Sequence, residues 1–167
     1  MKNISFNEVS EQFIKQLQKG AFLTVKNKDE INTMTIAWGS IGFMWNRPML
    51  TVMVRYSRHS YELIDQNNEF TVSVPAEGQL KEALGFCGTK SGRDFDKFKE
   101  CGLTLVDNPH SETPFIKECD LHFACKTVYK QAMEPSLLDP RIKEEKYTNH
   151  DYHVLYYGEI LGAYIEA

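Results

Sequence analysis

The chain has 167 residues, enough for one domain that buries roughly 70% of its unfolded surface. Hydrophobic residues make up 42%, charged residues 25%, and the net charge is −4; a nucleic-acid or anionic-membrane surface needs a basic field that this balance lacks. No apolar run approaches the ~20 residues of a membrane span and "MKNISFNEVSEQF" has no signal-peptide core, so a single cytoplasmic domain over 1–167 is expected.

Ser5-x-x-Glu8 is a capping box ahead of Phe6, Val9, Phe13 and Leu17, whose spacing predicts an amphipathic helix stopped by Gly20. "AFLTV" and "INTMTIAW" read as a hairpin across the polar turn at 27–30. Alternation puts Asn32, Met34, Ile36 and Trp38 on one face of the second strand and Thr33, Thr35 and Ala37 on the other. That second face is small and hydroxyl-bearing. "GSIGFMWNRP" reads as a loop leading to the strand "MLTVMVR".

Ser60 is placed to cap a short helix through "YELIDQN", ended by Asn67 and Asn68, and "EFTVSVP" is the next strand. Gln79 to Phe86 reads as helix, "CGTKSGR" as loop, "DFDKFKEC" as a helical turn and "LTLVD" as a short strand. "FIKECDLHFACKTVYKQA" contains a long strand and "YHVLYYGEILGAYIE" forms the last one. Between them, 133–151 carries two prolines and many charges, and reads as a long surface excursion. Strands joined by turns, with only short helices between them, predict a mostly β, antiparallel, nearly closed barrel.

Few chemical motifs stand out. The four cysteines form no Cys-x-x-Cys pair, and reduced thiols are expected. Cys119-x-x-His122-x-x-Cys125 lies on a predicted strand, where His122 faces away from the two cysteines, so those three cannot converge on a metal. "GFCGTKSGR" fails the Walker-A spacing, and no Gly-x-Gly-x-x-Gly follows a strand. Its small residues would still let backbone N–H groups, Lys90 and Arg93 approach an anion; an exposed charged turn is the alternative. Arg55 to Tyr61 places two arginines, two serines and a histidine at a strand end running into a helix, a donor set suited to a phosphate monoester. No nucleophile elbow or catalytic acid pair appears, which points to chemistry carried by a bound cofactor.

The residues "NTMTIAWGS…RPMLTVMVRYSRHSYELIDQNNEFTVSVP…FCGTKSGRDFDKF" and "YHVLYYGEI" resemble the flavin reductase-like, or flavoredoxin-like, FMN-binding split-barrel family, from near Gly20 onward. The resemblance implies a six-stranded antiparallel Greek-key split barrel with short flanking helices, forming a homodimer with flavin near the interface. It implies that Thr33, Thr35, Ile36, Trp38 and Ser40 run along the isoalloxazine and ribityl chain. Arg55, Ser57, Arg58 and Ser60 would contact ribityl and phosphate, Cys87, Gly88, Lys90 and Arg93 would close over the FMN, and His153 would stand on the nicotinamide side. The implied function is an oxidoreductase moving electrons from NADH or NADPH through flavin to free flavin, iron or a protein. The alternatives are a flavin-binding electron carrier without nicotinamide turnover, a pyridoxamine-phosphate-oxidase-like enzyme, and a barrel that has lost flavin. The segment 133–151 has no counterpart in the family pattern.

Overall fold

The computed structural model describes residues 1–166. Strand β1 (Lys2–Ile4) precedes helix α1 (Phe6–Leu17), whose first turn is closed by the Ser5 N–H donating to the Glu8 carboxylate at 3.3 Å. Val9, Phe13 and Leu17 form its buried stripe, as the spacing predicts, and Phe13 meets Phe123 edge-on with centroids 5.3 Å apart. The helix therefore plugs one side of the barrel. The chain leaves α1 through Gly20, whose φ of +117° few side-chain-bearing residues adopt.

Next come β2 (Ala21–Asn27), β3 (Glu30–Ile36), β4 (Gly39–Met44) and β5 (Arg47–Arg55). Here the structure corrects the sequence reading. The expected loop "GSIGFMWNRP" is mostly strand β4, paired with β5 through a two-residue turn. Trp45 and Asn46 make that turn with φ of +52° and +58°, the left-handed pair that joins twisted strands tightly. A tryptophan at a left-handed position is an unusual turn residue, so the hairpin was hidden.

Helix α2 (His59–Ile64) is followed by β6 (Glu69–Val74), α3 (Lys81–Thr89) and α4 (Lys97–Cys101). Arg58, not Ser60, occupies the N-cap of α2, and α3 extends through the "CGT" assigned to a loop. The small hairpin β7 (Leu105–Asn108) and β8 (Ser111–Ile116) leads to β9 (Leu121–Ala132). The segment 133–151 holds a 3-10 turn (Pro135–Leu137) and helix α5 (Pro140–Lys146), and β10 (His153–Ile165) closes the fold. That segment is structured, with Asp139 capping α5 by accepting from the Arg141 N–H.

The strands pair antiparallel in the order β3-β2-β6-β9-β10-β5-β4, with β1 added on β10. The path has seven strands where six were expected, because β4 is a strand. Its terminal members, β3 and β4, are consecutive in the chain yet do not pair, so Ala37 and Trp38 span the seam where the barrel is split. Leu23, Val25, Met34, Ile36, Leu50, Val52, Phe70, Val72, Phe123 and Tyr156 fill the interior. A second, smaller core lies outside β2, where Phe22 packs with Ala83, Leu84 and Cys87 of α3, Leu103, Ile116 and Cys119.

This second core explains the threonine face of β3. Thr33 is fully buried, its hydroxyl 3.2 Å from both the Leu23 carbonyl and the Thr24 hydroxyl. Thr35 donates to the Leu84 carbonyl at 2.6 Å. The face seats α3 and α4 against the sheet, and only its end at Thr35 reaches a cleft.

Candidate functional site

Two clefts lie side by side, one of them at the seam. One, of about 230 Å³, is lined by Met34 to Trp38 on one side and by Met53, Arg55, Arg58 and His153 on the other. The second, of about 170 Å³, lies between the start of α2 and the turn after α3, and includes Ser57, Arg58, Ser60, Lys90, Arg93 and Lys97. Each is smaller than the ~300 Å³ at which small-ligand pockets usually begin. They share Met34 and Arg58. A roomier groove along α1, about 340 Å³, is lined by charges already paired with one another, such as Lys15 with Glu11 and Lys19 with Glu77.

The smaller cleft is cationic. Arg58, Lys90, Arg93 and Lys97 line it with three serines and a threonine, and no carboxylate among the described residues joins them. Arg58 donates to the Gly88 carbonyl at 2.7 Å, tying α2 to the end of α3; its pKa is lowered by burial and then by Arg55 nearby. Arg93 donates to the Ser57 carbonyl at 3.2 Å and to Glu62 at 2.8 Å. Glu62 and Glu30, both about half exposed, also hold His59, at 3.0 and 2.6 Å. Gly92 is obligatory in this loop, since a Cβ there would stand 2.1 Å from Asn32 Oδ1. Asn32 in turn donates to Ser60 at 2.9 Å, and both are buried.

Lys97 is the residue that the sequence reading missed. Only 3% exposed, its ammonium donates to the Thr33 carbonyl at 2.8 Å and the Cys87 carbonyl at 3.1 Å. No carboxylate pairs with it among the described residues, and burial lowers its pKa. Arg93 is paired with Glu62, but Arg58, Lys90 and Lys97 have no ion-pair partner among the described residues, so the charge at this site is only partly balanced. The signal was its place in "SGRDFDKF", directly after the loop; helix α4 folds it back beneath that loop.

The larger cleft has a different chemistry. Trp38, 40% exposed, leans on His153 with ring centroids 5.4 Å apart. Because β3 ends at Ile36, Trp38 escapes the alternation that would have buried it with Met34 and Ile36. His153 opens β10 opposite Arg55. Burial, reinforced by Arg55, pushes its pKa down to about 4, so it is neutral at pH 7.

The expected site residues thus divide. Thr35, Ile36, Trp38, Arg55, Arg58 and His153 line the larger cleft, and Ser57, Arg58, Ser60, Lys90 and Arg93 the smaller. Gly88 adjoins them through its carbonyl and through Thr35, whose Cβ a methyl on Gly88 would meet at 3.3 Å. Thr33 and Cys87 lie in neither wall. Both side chains are buried, and the Cys87 thiol is pushed up to about 12 by burial, so their backbone carbonyls hold Lys97 instead. Ser40, exposed on β4 opposite Thr51, also lies outside both walls.

Arg55 and Ser57 differ from expectation in another way. The Arg55 guanidinium donates to the carbonyls of Asp151 and Lys146, and lies 4.9 Å above the Tyr147 ring. The Asp151 carboxylate accepts from the Ser57 N–H at 3.2 Å and its hydroxyl at 2.6 Å. The segment 133–151 thus folds back onto the strand end expected to hold a phosphate, and the cationic cleft lies farther along, beneath the Gly-rich turn.

The fold is a split barrel with a cationic cleft next to an aromatic slot. Residues 18–167 match the model of the flavin reductase like domain, and the chain belongs to that family. Among sequence relatives, an uncharacterised protein from Archaeoglobus fulgidus is 33% identical over 107 residues, covering 64% of this chain and 59% of its own. One from Pyrococcus abyssi is 30% identical over 136 residues, with 80% and 66% covered. The chain therefore spans about three-fifths to two-thirds of these relatives. Among solved structures, flavoredoxin from Methanosarcina acetivorans is 29% identical with TM-score 0.67, over 88% of this chain and 68% of that one. An FMN-binding domain of a flavin reductase-like enzyme from Shewanella baltica, 21% identical, shares the fold with TM-score 0.73 over 98% and 76%.

Proposed function

We propose that this chain binds FMN across the two clefts and acts as a flavin reductase-like oxidoreductase, taking electrons from NADH or NADPH and passing them to an acceptor. The observation that carries the reading is a pair of adjoining clefts: one lined by four cations and, among the described residues, no carboxylate, the other a slot lined by Trp38 and His153, with Met34 and Arg58 in the walls of both. The donor set fits a phosphate monoester, which needs several N–H and O–H donors and a positive field. The slot fits a flat heteroaromatic.

Arg58, Lys90, Arg93 and Lys97 would hold the phosphate, with Ser57 and Ser60 beside it. Thr35, Ile36 and Trp38 would line the ring, whose bound flavin supplies the two-electron chemistry. The side chains contribute orientation. Gly92 lets the turn approach Asn32, and Trp38 and His153 form the face on which a second ring would dock. Exposed Phe43 and Trp45 on the β4–β5 hairpin support a homodimer, which light scattering of the purified protein checks.

Purified protein, loaded with FMN where it emerges colourless, is mixed with NADH or NADPH in the presence of excess FMN. Rapid nicotinamide oxidation is expected. Yellow protein that dithionite reduces but neither nicotinamide does would instead establish an electron carrier, a reading favoured by the 29% identity to a flavoredoxin. Protein that takes up no FMN would refute both.

A further inference from the structure

We propose that Tyr147 is a positioning residue that fixes His153 as a neutral imidazole with its proton on Nε2, so that His153 presents a hydrogen-bond donor, and no base, to the ligand in the larger cleft. The inference rests on the reading of that cleft as a ring site. It gives the segment 133–151 a role in the site.

The Tyr147 hydroxyl and His153 Nδ1 are 2.7 Å apart, with the rings nearly perpendicular at 87°. Tyr147 is 2% exposed, and its hydroxyl has no other partner among the described residues. That asymmetry settles the direction of the bond. Were His153 to donate from Nδ1, the phenolic proton would be left buried and unpaired, at the full desolvation cost of a hydroxyl. Tyr147 therefore donates and Nδ1 accepts. Burial also raises the phenol's pKa, against the opposing pull of Arg55, and so keeps that proton in place.

A neutral imidazole that accepts at Nδ1 carries its proton on Nε2. Nε2 has no hydrogen-bond partner among the described residues, and His153, though only 6% exposed, lines the cleft beside Trp38. The free donor thus reaches the ligand space. Charging the ring is opposed by burial, Arg55 and Arg58, and favoured only by Asp151, whose carboxylate is already engaged by Ser57. The one lone pair is spent on Tyr147, so His153 cannot take a proton from a ligand at neutral pH. The chemistry that it recognises is a neutral acceptor, a ring carbonyl or carboxamide oxygen, lying against Trp38.

Tyr147 itself is held firmly. It stacks on Tyr152 with centroids 5.0 Å apart and planes 19° from parallel, and Arg55 lies over its ring. Arg55 also grips the carbonyls of Lys146 and Asp151, on both sides of it in the chain. The positioning device is the whole turn from Lys146 to Tyr152.

The test uses the full chain free of flavin, labelled with ¹⁵N-histidine, and long-range proton–nitrogen correlation between pH 6 and 8. His153 is expected in the Nε2–H form alone. Tyr147→Phe should lose that single tautomer and weaken riboflavin, a phosphate-free probe of the ring cleft, by about tenfold, the worth of one hydrogen bond. An Nδ1–H signal in the parent overturns the assignment, and so does a folded Tyr147→Phe protein with unchanged tautomer and affinity. Should that variant not fold, the parent spectrum decides alone. An Nε2–H parent that binds no flavin supports the assignment and overturns the flavin reading only.

Discussion

Replacing Lys97 with methionine tests the anion cleft most directly. The ammonium is buried, holds two backbone carbonyls and has no carboxylate partner among the described residues. In the ligand-free protein its removal loses two charge-assisted hydrogen bonds, about 1.5–3 kcal/mol each, but also removes the several kcal/mol cost of a desolvated charge. The two nearly cancel, so the flavin-free melting temperature of Lys97→Met should stay within a few degrees of the parent. Binding has no such compensation. A phosphate charge ~5 Å from the ammonium, at an effective dielectric of ~20, is worth about 3 kcal/mol, or roughly a hundredfold in affinity. Titration of FMN fluorescence reads the loss, and riboflavin serves as the control, since it carries no phosphate and should lose little. A folded Lys97→Met that binds FMN as tightly as the parent would refute the reasoning. Equal losses for FMN and riboflavin would show that Lys97 shapes the pocket and holds no phosphate.

Acid should destabilise the protein through His153. Its folded pKa, about 4, lies below the unfolded value of 6.5, so the unfolded chain binds the extra proton first and stability falls as pH drops through that window, by up to about 3 kcal/mol. Denaturant melts of His153→Gln should show a shallower decline between pH 6.5 and 4 than the parent. Gly92→Ala would drive a methyl against Asn32 Oδ1, and the displaced turn should cost about 1–3 kcal/mol of stability and weaken FMN, both measurable in one thermal-shift series. Trp38→Leu should change the absorption of bound flavin while moving the flavin-free melting point little, because the indole is 40% exposed; an unchanged spectrum would place the ring elsewhere. Asp151→Asn should loosen Lys146–Tyr152 from Ser57, seen as faster amide exchange there, with riboflavin affinity falling more than salt-sensitive phosphate affinity.

Much of this was legible in the chain itself, for local reasons. The capping box and the spacing of Val9, Phe13 and Leu17 dictate α1 wherever it docks. The alternation in "INTMTI" buries Met34 and Ile36 in any sheet with one closed side. Lys90 and Arg93 stand close in the chain around small residues and share one cleft, and the order of the motifs announces the family. What the sequence left open depends on which surfaces meet. Whether the threonine face of β3 meets a ligand or a helix is decided by α3 and α4 docking on it, and that docking carries Lys97 beneath the loop. That Arg55 and Ser57 are held by Asp151, from a segment nearly a hundred residues later, likewise depends on which surfaces meet. Trp38 belongs to neither face because the barrel splits at its position, a property of strand pairing across the whole molecule. Local pattern fixes which side of an element is apolar; only the closure of the fold decides which polar groups find each other and which are left for a ligand.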